Sequence, residues 1–361
     1  MMRTFGIEEE FMLVDRRTLA PVDLAGDAVA ELGERPHRGE VTNEFLPSQL
    51  EHATAICEDL EEARLAISSF RSELGAWAKQ HGLRAIGSGT PFDLPGRPPE
   101  FSSARYRRIA RDVGMLAGEH LINGMHVHVG VSGLEEGVRV VNGLRPWLPL
   151  LVGLSSNSPF WAGADTGHHS WRSIQVRRWT THGTPPHFHD YEEYQSLVAR
   201  LQGVGATSSY SSNGWAVRLS PRFPTVEIRV CDAQLGSDST LGLASVLRAL
   251  AHACAQADRP PHHVRTHVLD SEWWHAARWG ITQRIYDPTS DSQQDAAEAI
   301  ASLRGVIAPA AQEQRADDCV AEFFERIAIE GTGATRQRDA LRDGVEGLSR
   351  LHARAFSAAA V

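Results

Sequence analysis

Three segments of the sequence alternate charged or imidazole side chains with aliphatic ones. Successive side chains of a β-strand point to opposite faces, so residues two positions apart share a face. Each segment is therefore predicted to form a strand with one apolar face and one face of carboxylate, imidazole or guanidinium groups. The polar pairs are Glu8 with Glu10, His126 with His128, and Glu227 with Arg229.

A metal site is the function that these polar faces favour. Each pair alone is weak evidence, because one face of an antiparallel strand is commonly solvated. Three such strands together would crowd carboxylates, which repel one another unless a cation lies between them. Oxygen-rich ligand sets with an imidazole suit Mg²⁺ or Mn²⁺. Zn²⁺ is the second choice, because the sequence has neither an HExxH motif nor a pair of cysteine ligands.

A turn-rich, aromatic segment from Asn157 to Arg172 is a second candidate site. It places Arg172 near small and hydroxylated residues, and a guanidinium can bind a carboxylate through two parallel hydrogen bonds. Arg172 is therefore a candidate to bind the carboxylate of a substrate. The alternative interpretation is a surface loop with a packed phenylalanine and tryptophan.

Helices and short strands are predicted to position these segments. Residues Glu51 to Gln80 carry apolar side chains three and four positions apart, which predicts an amphipathic helix packed on a flat surface. The mixture of elements favours one α+β domain. The other predicted elements are strands at Leu83–Ile86, Gly124–Val131, Trp215–Leu219 and Thr225–Val230, a helix at Ala104–Leu116, a loop at Gly87–Pro99, and a mostly helical tail at Ser292–Phe356 interrupted at Pro309 and at Gly331–Gly333.

Composition excludes several classes of protein. The chain has 361 residues, 42% of them hydrophobic, and a net charge of −9 without a basic block, so nucleic acid is not an expected partner. The sequence has no signal-peptide pattern and no apolar stretch long enough to cross a bilayer, which predicts a cytoplasmic protein without membrane contact. Lys79 is the only lysine and is followed by Gln80, so neither a Walker A loop nor a Schiff-base lysine is expected.

Several motifs along the chain form a recognisable set. In chain order they are Gly6–Phe11, Gly124–Gly130, Ser158–Trp161 with Asp165–Gly167 and Arg172, Thr225–Asp232, and the tail segment Gly333–Arg338. These motifs resemble those of the carboxylate-amine ligases of the second glutamate-cysteine ligase family. The resemblance implies a fold related to glutamine synthetase, in which a curved antiparallel sheet forms a funnel with helices packed on its outer face. It also implies that ATP and divalent cations, Mg²⁺ or Mn²⁺, bind inside the funnel. One catalytic domain would span residues 1–361, with a mainly helical part from about residue 291.

The resemblance also implies roles for individual residues. The metal ligands would be Glu8, Glu10, Glu51, His126 and Glu227. Glu227 and Arg229 would be catalytic, Arg229, Arg336 and Arg338 would bind the nucleotide, and Arg172, Thr166 and Glu44 would bind substrate. Two departures concern substrate identity: Pro47 stands where many relatives have an acidic residue, and Gly89–Phe92 lacks the histidine of their motif.

These roles imply a ligase that uses ATP to join an acid to an amine through an acyl phosphate, with Arg229 stabilising the transferring phosphoryl group. Glutamate with cysteine or another amine is the substrate pair that the family name suggests. The segments Gly87–Pro99 and Asn157–Arg172 are candidate lids that would protect the intermediate from water.

Two alternatives remain open at the level of sequence. One is a metal-dependent amidohydrolase or phosphohydrolase, and the other is a catalytically silent scaffold that binds metal or nucleotide. The sequence also leaves open the acid, the amine, the choice between Mg²⁺ and Mn²⁺, and the oligomeric state. A homodimer is implied only by the resemblance.

Overall fold

A computed structural model describes the chain at residues 2–33, 39–94, 104–207, 213–257 and 263–357. The strands are β1 (Phe5–Asp15), β2 (Gly39–Asn43), β3 (Gln49–Thr54), β4 (Leu83–Ile86), β5 (Gly124–Gly130), β6 (Phe160–Trp161), β7 (Ala164–Asp165), β8 (Val217–Leu219), β9 (Thr225–Asp232), β10 (Ile285–Asp287) and β11 (Ser292–Gln294). The helices are α1 (Ala25–Gly33), α2 (Leu60–Gln80), α3 (Ala104–Val113), α4 (Leu134–Leu144), α5 (Leu148–Ser155), α6 (Trp171–Val176), α7 (Tyr191–Gly203), α8 (Ser237–Gln256), α9 (Thr266–Trp279), α10 (Ala296–Glu313), α11 (Asp317–Glu330), α12 (Gly333–Leu341) and α13 (Gly344–Ala355).

Seven strands form one antiparallel sheet in the order β2-β3-β1-β5-β9-β8, with β4 also paired to β1. The sheet is not closed, since β2 and β8 lie at its two ends. The alternation along β1 follows the predicted period of two. Ile7 and Phe11 are buried in hydrophobic cores, while Glu8 and Glu10 line a cavity on the opposite face.

Helices cover the apolar face of the sheet. In the larger core, Val127 and Ile228 of the sheet lie in one cluster with Leu247 of α8. In a second core, Phe70 of α2 packs with Phe11 of β1, their ring centroids 5.8 Å apart. Each fully buried side chain of this size stabilises the fold by about 1.5–3 kcal/mol. The sequence prediction of an α+β fold with helices on the outer face of a curved antiparallel sheet is confirmed.

The predicted helix from Glu51 to Gln80 begins too early. Helix α2 starts at Leu60, where the side chain of Asp59 caps it by accepting a hydrogen bond from the Glu62 amide at 3.0 Å. Glu51 lies instead on β3, between β1 and β2, so the carboxylate reaches the polar face from a fourth strand. Ile56, which the predicted helix would place on its buried apolar face, is 74% exposed.

The C-terminal part is mostly helical, as predicted, but its first interruption lies elsewhere. Pro309 lies inside α10, which continues to Glu313. Proline removes one helical hydrogen bond, yet Leu303 and Ile307 of the same helix are fully buried, so packing outweighs the local preference. No helix in the described ranges has the combined length and apolar character that a membrane span requires.

Candidate active site

The polar face of the central strands is a ladder of cross-strand neighbours. Pairing of the strands places the side chains in four pairs: Glu10 with Glu51, Glu8 with His126, His128 with Glu227, and Arg218 with Glu227. All of these side chains, and Arg229, line a cavity of about 1560 Å³ on the concave side of the sheet, which we call the funnel. The five side chains predicted as metal ligands therefore converge on one concavity.

Two overlapping groups of side chains in the funnel have the spacing of metal ligands. One donor atom from each of Glu8, Glu51 and His126 lies within 4.8 Å of the others, and the same holds for Glu8, His128 and Glu227. Carboxylate oxygens with one imidazole nitrogen suit Mg²⁺ or Mn²⁺. The residues present thus fit two divalent cations that share Glu8.

Two buried carboxyl groups of the funnel, Glu10 and Glu51, have raised pKa values. Burial raises the pKa of Glu51 well above its usual value, and the charges of Glu8, Glu44 and Glu10 raise it further. Burial also raises the pKa of Glu10. A nearby cation would favour the ionised form of both groups, which is the behaviour of a binding site for a positive ion.

Two histidines set the state of Glu8. Burial would raise the pKa of this carboxyl, but hydrogen bonds with His126 at 2.9 Å and His128 at 3.2 Å hold it well below its usual range. Burial and the neighbouring charge of Arg229 lower the pKa of His126, so its imidazole is neutral near pH 7. The neutral form is the one that can bind a metal.

Two arginines hold Glu227 in the funnel. Arg218 Nε donates to one carboxylate oxygen of Glu227 at 2.8 Å, and Arg229 Nη1 donates to the other. Burial would raise the pKa of Glu227, but Arg229 and Arg218 hold it well below its usual value. Arg229 Nη1 also lies 3.4 Å from His126 Nδ1, so a guanidinium charge sits beside both groups of potential metal ligands.

A smaller pocket of about 90 Å³ adjoins the funnel and contains Arg172; we call it the inner pocket. Arg172 donates to the backbone carbonyls of Val230 at 3.2 Å and Arg229 at 3.1 Å. Its Nε has no hydrogen-bond partner among the described residues. A Cβ on Gly124 would lie 2.5 Å from Arg172 Nη2, so glycine there lets the guanidinium cross the strand.

Two uncharged histidines line the inner pocket beside Arg172. Burial lowers the pKa of His120 to about 3, and the positive charge of Arg172 contributes. Burial also lowers the pKa of His182 well below its usual value. Near pH 7 both side chains can therefore donate or accept hydrogen bonds without adding charge.

Comparison with known proteins identifies the family of this chain. The model of glutamate-cysteine ligase family 2 matches residues 4–352. The chain belongs to this family. A protein of Saccharopolyspora erythraea named "Putative glutamate--cysteine ligase 2-2" is 38% identical over 347 residues, which cover 94% of this chain and 89% of that protein. A relative of the same name from Mycolicibacterium vanbaalenii is 35% identical over 342 residues, covering 94% and 93% of the two chains.

Solved structures of ligases share the fold. A glutamate–cysteine ligase of Francisella tularensis, crystallised in complex with AMP, aligns with a TM-score of 0.71 at 14% identity and covers 99% of this chain and 89% of its own. A bifunctional glutathione synthetase of Pasteurella multocida aligns with a TM-score of 0.73 at 15% identity over 98% of this chain. The chain spans about half of that synthetase, 52% of its length. Family membership makes the protein a carboxylate-amine ligase, which confirms the class of enzyme predicted from its motifs.

Three residues predicted for this ligase lie away from the funnel. Arg338 forms an ion pair with Asp165 at 2.8 Å, and Arg336 forms one with Glu330 at 3.3 Å. The hydroxyl of Thr166 donates to the carbonyl of Pro159 at 2.9 Å. None of the three lines the funnel or the inner pocket. Their nucleotide-binding and substrate-binding roles stay predictions, whereas Glu44 lines both cavities.

Sequence reasoning assigned no role to four side chains that line the funnel or the inner pocket. His128 was part of a recognised pair but was not assigned as a ligand, and the alternation that selected His126 selects it equally. Arg218 shares its strand with apolar Val217 and Leu219, so the same period of two could have found it. His120 and His182 lie outside the strands, where no periodic pattern marks them.

Proposed function

We propose that the protein is an ATP-dependent ligase that forms an amide through an acyl-phosphate intermediate. The first product to test is a γ-glutamyl amide, made from glutamate and cysteine or another amine. One observation carries this proposal: two overlapping sets of potential metal ligands share Glu8, and Arg229 lies beside them. The AMP complex of the Francisella tularensis ligase supports use of a nucleotide by this fold. We further propose one catalytic domain over residues 1–361, mainly helical from about residue 291, acting in the cytoplasm on small molecules.

The ligand sets indicate which residues would hold the cations. Glu8, Glu51 and His126 would bind one Mg²⁺ or Mn²⁺, and Glu8, His128 and Glu227 would bind a second. Glu10 lies next to the first set, its carboxylate oxygen 3.8 Å from His126 Nε2. Bound there, the cations would neutralise phosphate charge and favour phosphoryl transfer.

Arg229 and Glu227 have linked roles in this proposal. The ion pair with Glu227 fixes the guanidinium of Arg229, which lines both cavities, so little reorganisation is needed when charge develops. Arg229 would stabilise the negative charge on the phosphoryl group as it moves to the acid. The reaction requires no nucleophilic side chain, because the carboxylate of the substrate attacks the phosphoryl group and the amine then displaces phosphate.

Arg172 would bind the carboxylate of an amino-acid substrate in the inner pocket. Its side chain is 6% exposed, so a charged hydrogen bond formed there is shielded from water. A buried water needs about 10–15 Å³ of such space, so a pocket of about 90 Å³ can take a group of several heavy atoms. Glu44 lines the same pocket and could accept a hydrogen bond from an ammonium group.

The proposal is tested by measuring ADP release against a matrix of amino acids and amines with Mg²⁺ or Mn²⁺. We expect ADP only when an acid and an amine are both present, together with an equal amount of amide detected by mass spectrometry. Release of phosphate from ATP when both the acid and the amine are left out would indicate a phosphohydrolase. Amide cleavage without nucleotide would indicate an amidohydrolase, and either result would overturn the proposal.

A further inference from the structure

Asp232, at the end of β9, is a buried aspartate that receives hydrogen bonds from a neighbouring segment. Its side chain is 1% exposed. One carboxylate oxygen accepts from the Asn157 amide at 2.9 Å and from the Ser158 hydroxyl at 2.7 Å, and the other lies 2.8 Å from the Ser170 hydroxyl. These three donors lie in residues 157–170, so one carboxylate holds both ends of this segment against the sheet.

The same carboxylate lies behind Arg172. Arg172 Nη1 is 3.9 Å from an oxygen of Asp232, and the Arg172 amide donates to the hydroxyl of Ser158 at 3.0 Å. Ser170, which contacts Asp232, is also the N-cap of α6, the helix that carries Arg172. Asp232 therefore forms a long ion pair with the Arg172 guanidinium. It also accepts a hydrogen bond from the N-cap of the helix that carries Arg172.

A second loop is packed against this carboxylate. A Cβ on Gly89 would lie 2.8 Å from Asp232 Cγ and 2.9 Å from Ser158 Cβ, so only glycine fits there without displacement. The Gly89 amide donates to the carbonyl of Asn157 at 3.1 Å, and the Asn123 amide donates to the carbonyl of Gly89 at 2.9 Å. The described part of the loop, residues 87–94, is thus joined to residues 157–170 around Asp232. The remainder of the predicted lid, residues 95–99, lies outside the described residues.

We propose that Asp232 is a positioning residue, which holds the guanidinium of Arg172 in the inner pocket and makes residues 87–90 and 157–172 a fixed support for it. Asp232 lines neither the funnel nor the inner pocket, so it acts through Arg172 and does not touch the substrate. This inference rests on the proposed function of Arg172 in binding the acid.

The carboxylate is better suited to this position than an amide would be. It accepts hydrogen bonds at both oxygens from three donors, whereas an asparagine would place an NH₂ group against the donors on one side. It also balances part of the buried charge of Arg172, which a neutral side chain cannot do. Loss of the charge should therefore change the orientation of Arg172 more than the overall fold.

The test compares Asp232→Asn with a matched variant, Asp287→Asn. Asp287 is also a buried aspartate, 3% exposed, and accepts from the Thr289 amide at 2.8 Å and the Ser302 hydroxyl at 2.7 Å. It lines neither cavity, so it controls for a general loss of stability. We expect Asp232→Asn to raise KM for the acid about tenfold and to leave the Kd for Mg²⁺-ADP within twofold, a split typical of a change confined to one substrate subsite. Asp287→Asn should change neither constant.

A double-mutant cycle with Arg172→Lys shows whether Asp232 acts through Arg172. In the Arg172→Lys background, adding Asp232→Asn should change KM for the acid less than threefold. An unchanged KM in the single variant, or a full tenfold change in the double variant, would overturn the inference. If Asp232→Asn does not fold, Ser170→Ala removes one of the donors and should raise the same KM by a smaller factor, while an unchanged KM there would count against the inference.

The wild-type protein separates this inference from the proposed function. Absence of ADP release with every acid and amine would defeat the proposed function, and the positioning role would fall with it. An active wild type with an unaffected Asp232→Asn variant would defeat the positioning role alone.

Discussion

Both faces of strand β1 carry glutamates, but one face is packed inside the protein and the other lines the funnel. Glu9 points into the protein, is 1% exposed, and forms two hydrogen bonds with Arg71, at 3.1 Å and 2.5 Å. Arg71 also donates to the carbonyls of Gln234 and Leu235, both at 2.9 Å. On the other face, Glu8 and Glu10 share the funnel with Glu44 and Glu51, and the charges of Glu8, Glu44 and Glu10 raise the pKa of Glu51.

The difference separates a carboxylate that stabilises the fold from carboxylates available for binding. Arg71 pairs with Glu9 inside the protein and compensates its charge, so this carboxylate belongs to the structural core of the fold. Carboxylates that raise one another's pKa gain free energy when a cation enters, so the folded state retains an unfavourable term that binding removes. Substitutions on the Glu9 face should therefore change stability, whereas substitutions on the funnel face should change activity and ligand binding.

The largest expected effect is on stability, at Arg71. Arg71→Leu leaves the carboxylate of Glu9 buried without its cation, which should lower the free energy of unfolding by about 3–5 kcal/mol. Urea denaturation measures this change. Adding Glu9→Gln should recover part of the loss, because the unpaired charge is then removed. A loss below about 1 kcal/mol in the single variant would contradict the structural role of the pair.

Glu10→Gln should have the opposite profile. The change keeps the size of the side chain, and the amide oxygen can still accept the hydrogen bond of the Gly124 amide, so the free energy of unfolding should stay within about 0.5 kcal/mol or rise. Loss of the negative charge should lower ADP formation with every substrate pair by at least about a hundredfold, equivalent to about 2.7 kcal/mol. Near-normal turnover would place Glu10 outside the catalytic machinery.

The sequence could predict the faces of β1 but not the partners of its side chains. The period of two along β1 predicted that Glu8 and Glu10 share one face, and the same period places Glu9 on the other, because it is a local property of the backbone. The partner of Glu9 was not predictable, since Arg71 lies 62 positions away in a helix whose arginines look alike in sequence. Glu51 was assigned to the ligand set through the resemblance, while its local pattern predicted a helix, because the strand depends on pairing with both β1 and β2.

Arg172→Lys should have a smaller and more selective effect. Lysine keeps the positive charge but cannot donate two parallel hydrogen bonds to a carboxylate. We expect KM for the acid to rise about tenfold, equivalent to about 1.4 kcal/mol, with nucleotide binding unchanged. If the variant weakened ATP binding and left KM for the acid unaffected, the assignment of Arg172 to the carboxylate of the acid would be wrong.

The smallest expected effect is a dependence of the free energy of unfolding on pH in the metal-free protein. The pKa of Glu51 lies well above its unfolded value of 4.5 because of burial and then the charges of neighbouring carboxylates. The folded state therefore binds more protons than the unfolded state above pH 4.5, so stability is present at low pH and falls as pH rises through the raised pKa, by at most about 1.4 kcal/mol per pH unit for one group.

Urea denaturation in a chelator at several pH values would measure this fall in stability. It should be absent in Glu51→Gln, which cannot ionise at this position, and reduced by saturating Mg²⁺ in the wild-type protein. Identical pH profiles for the wild type and Glu51→Gln would show that the pKa of the Glu51 carboxyl is not raised in the folded protein.

The central claim is that the carboxylates of the funnel bind ATP only together with divalent cations, since the funnel has no lysine among its described lining residues. Calorimetric titration of a non-hydrolysable ATP analogue measures this directly, with Mg²⁺ in one series and a chelator in the other. We expect binding with Mg²⁺ that weakens at least about tenfold in chelator, a difference of about 1.4 kcal/mol or more. Equally tight binding in chelator would contradict it, because the uncompensated carboxylates would then repel the phosphates and the nucleotide would have to bind elsewhere.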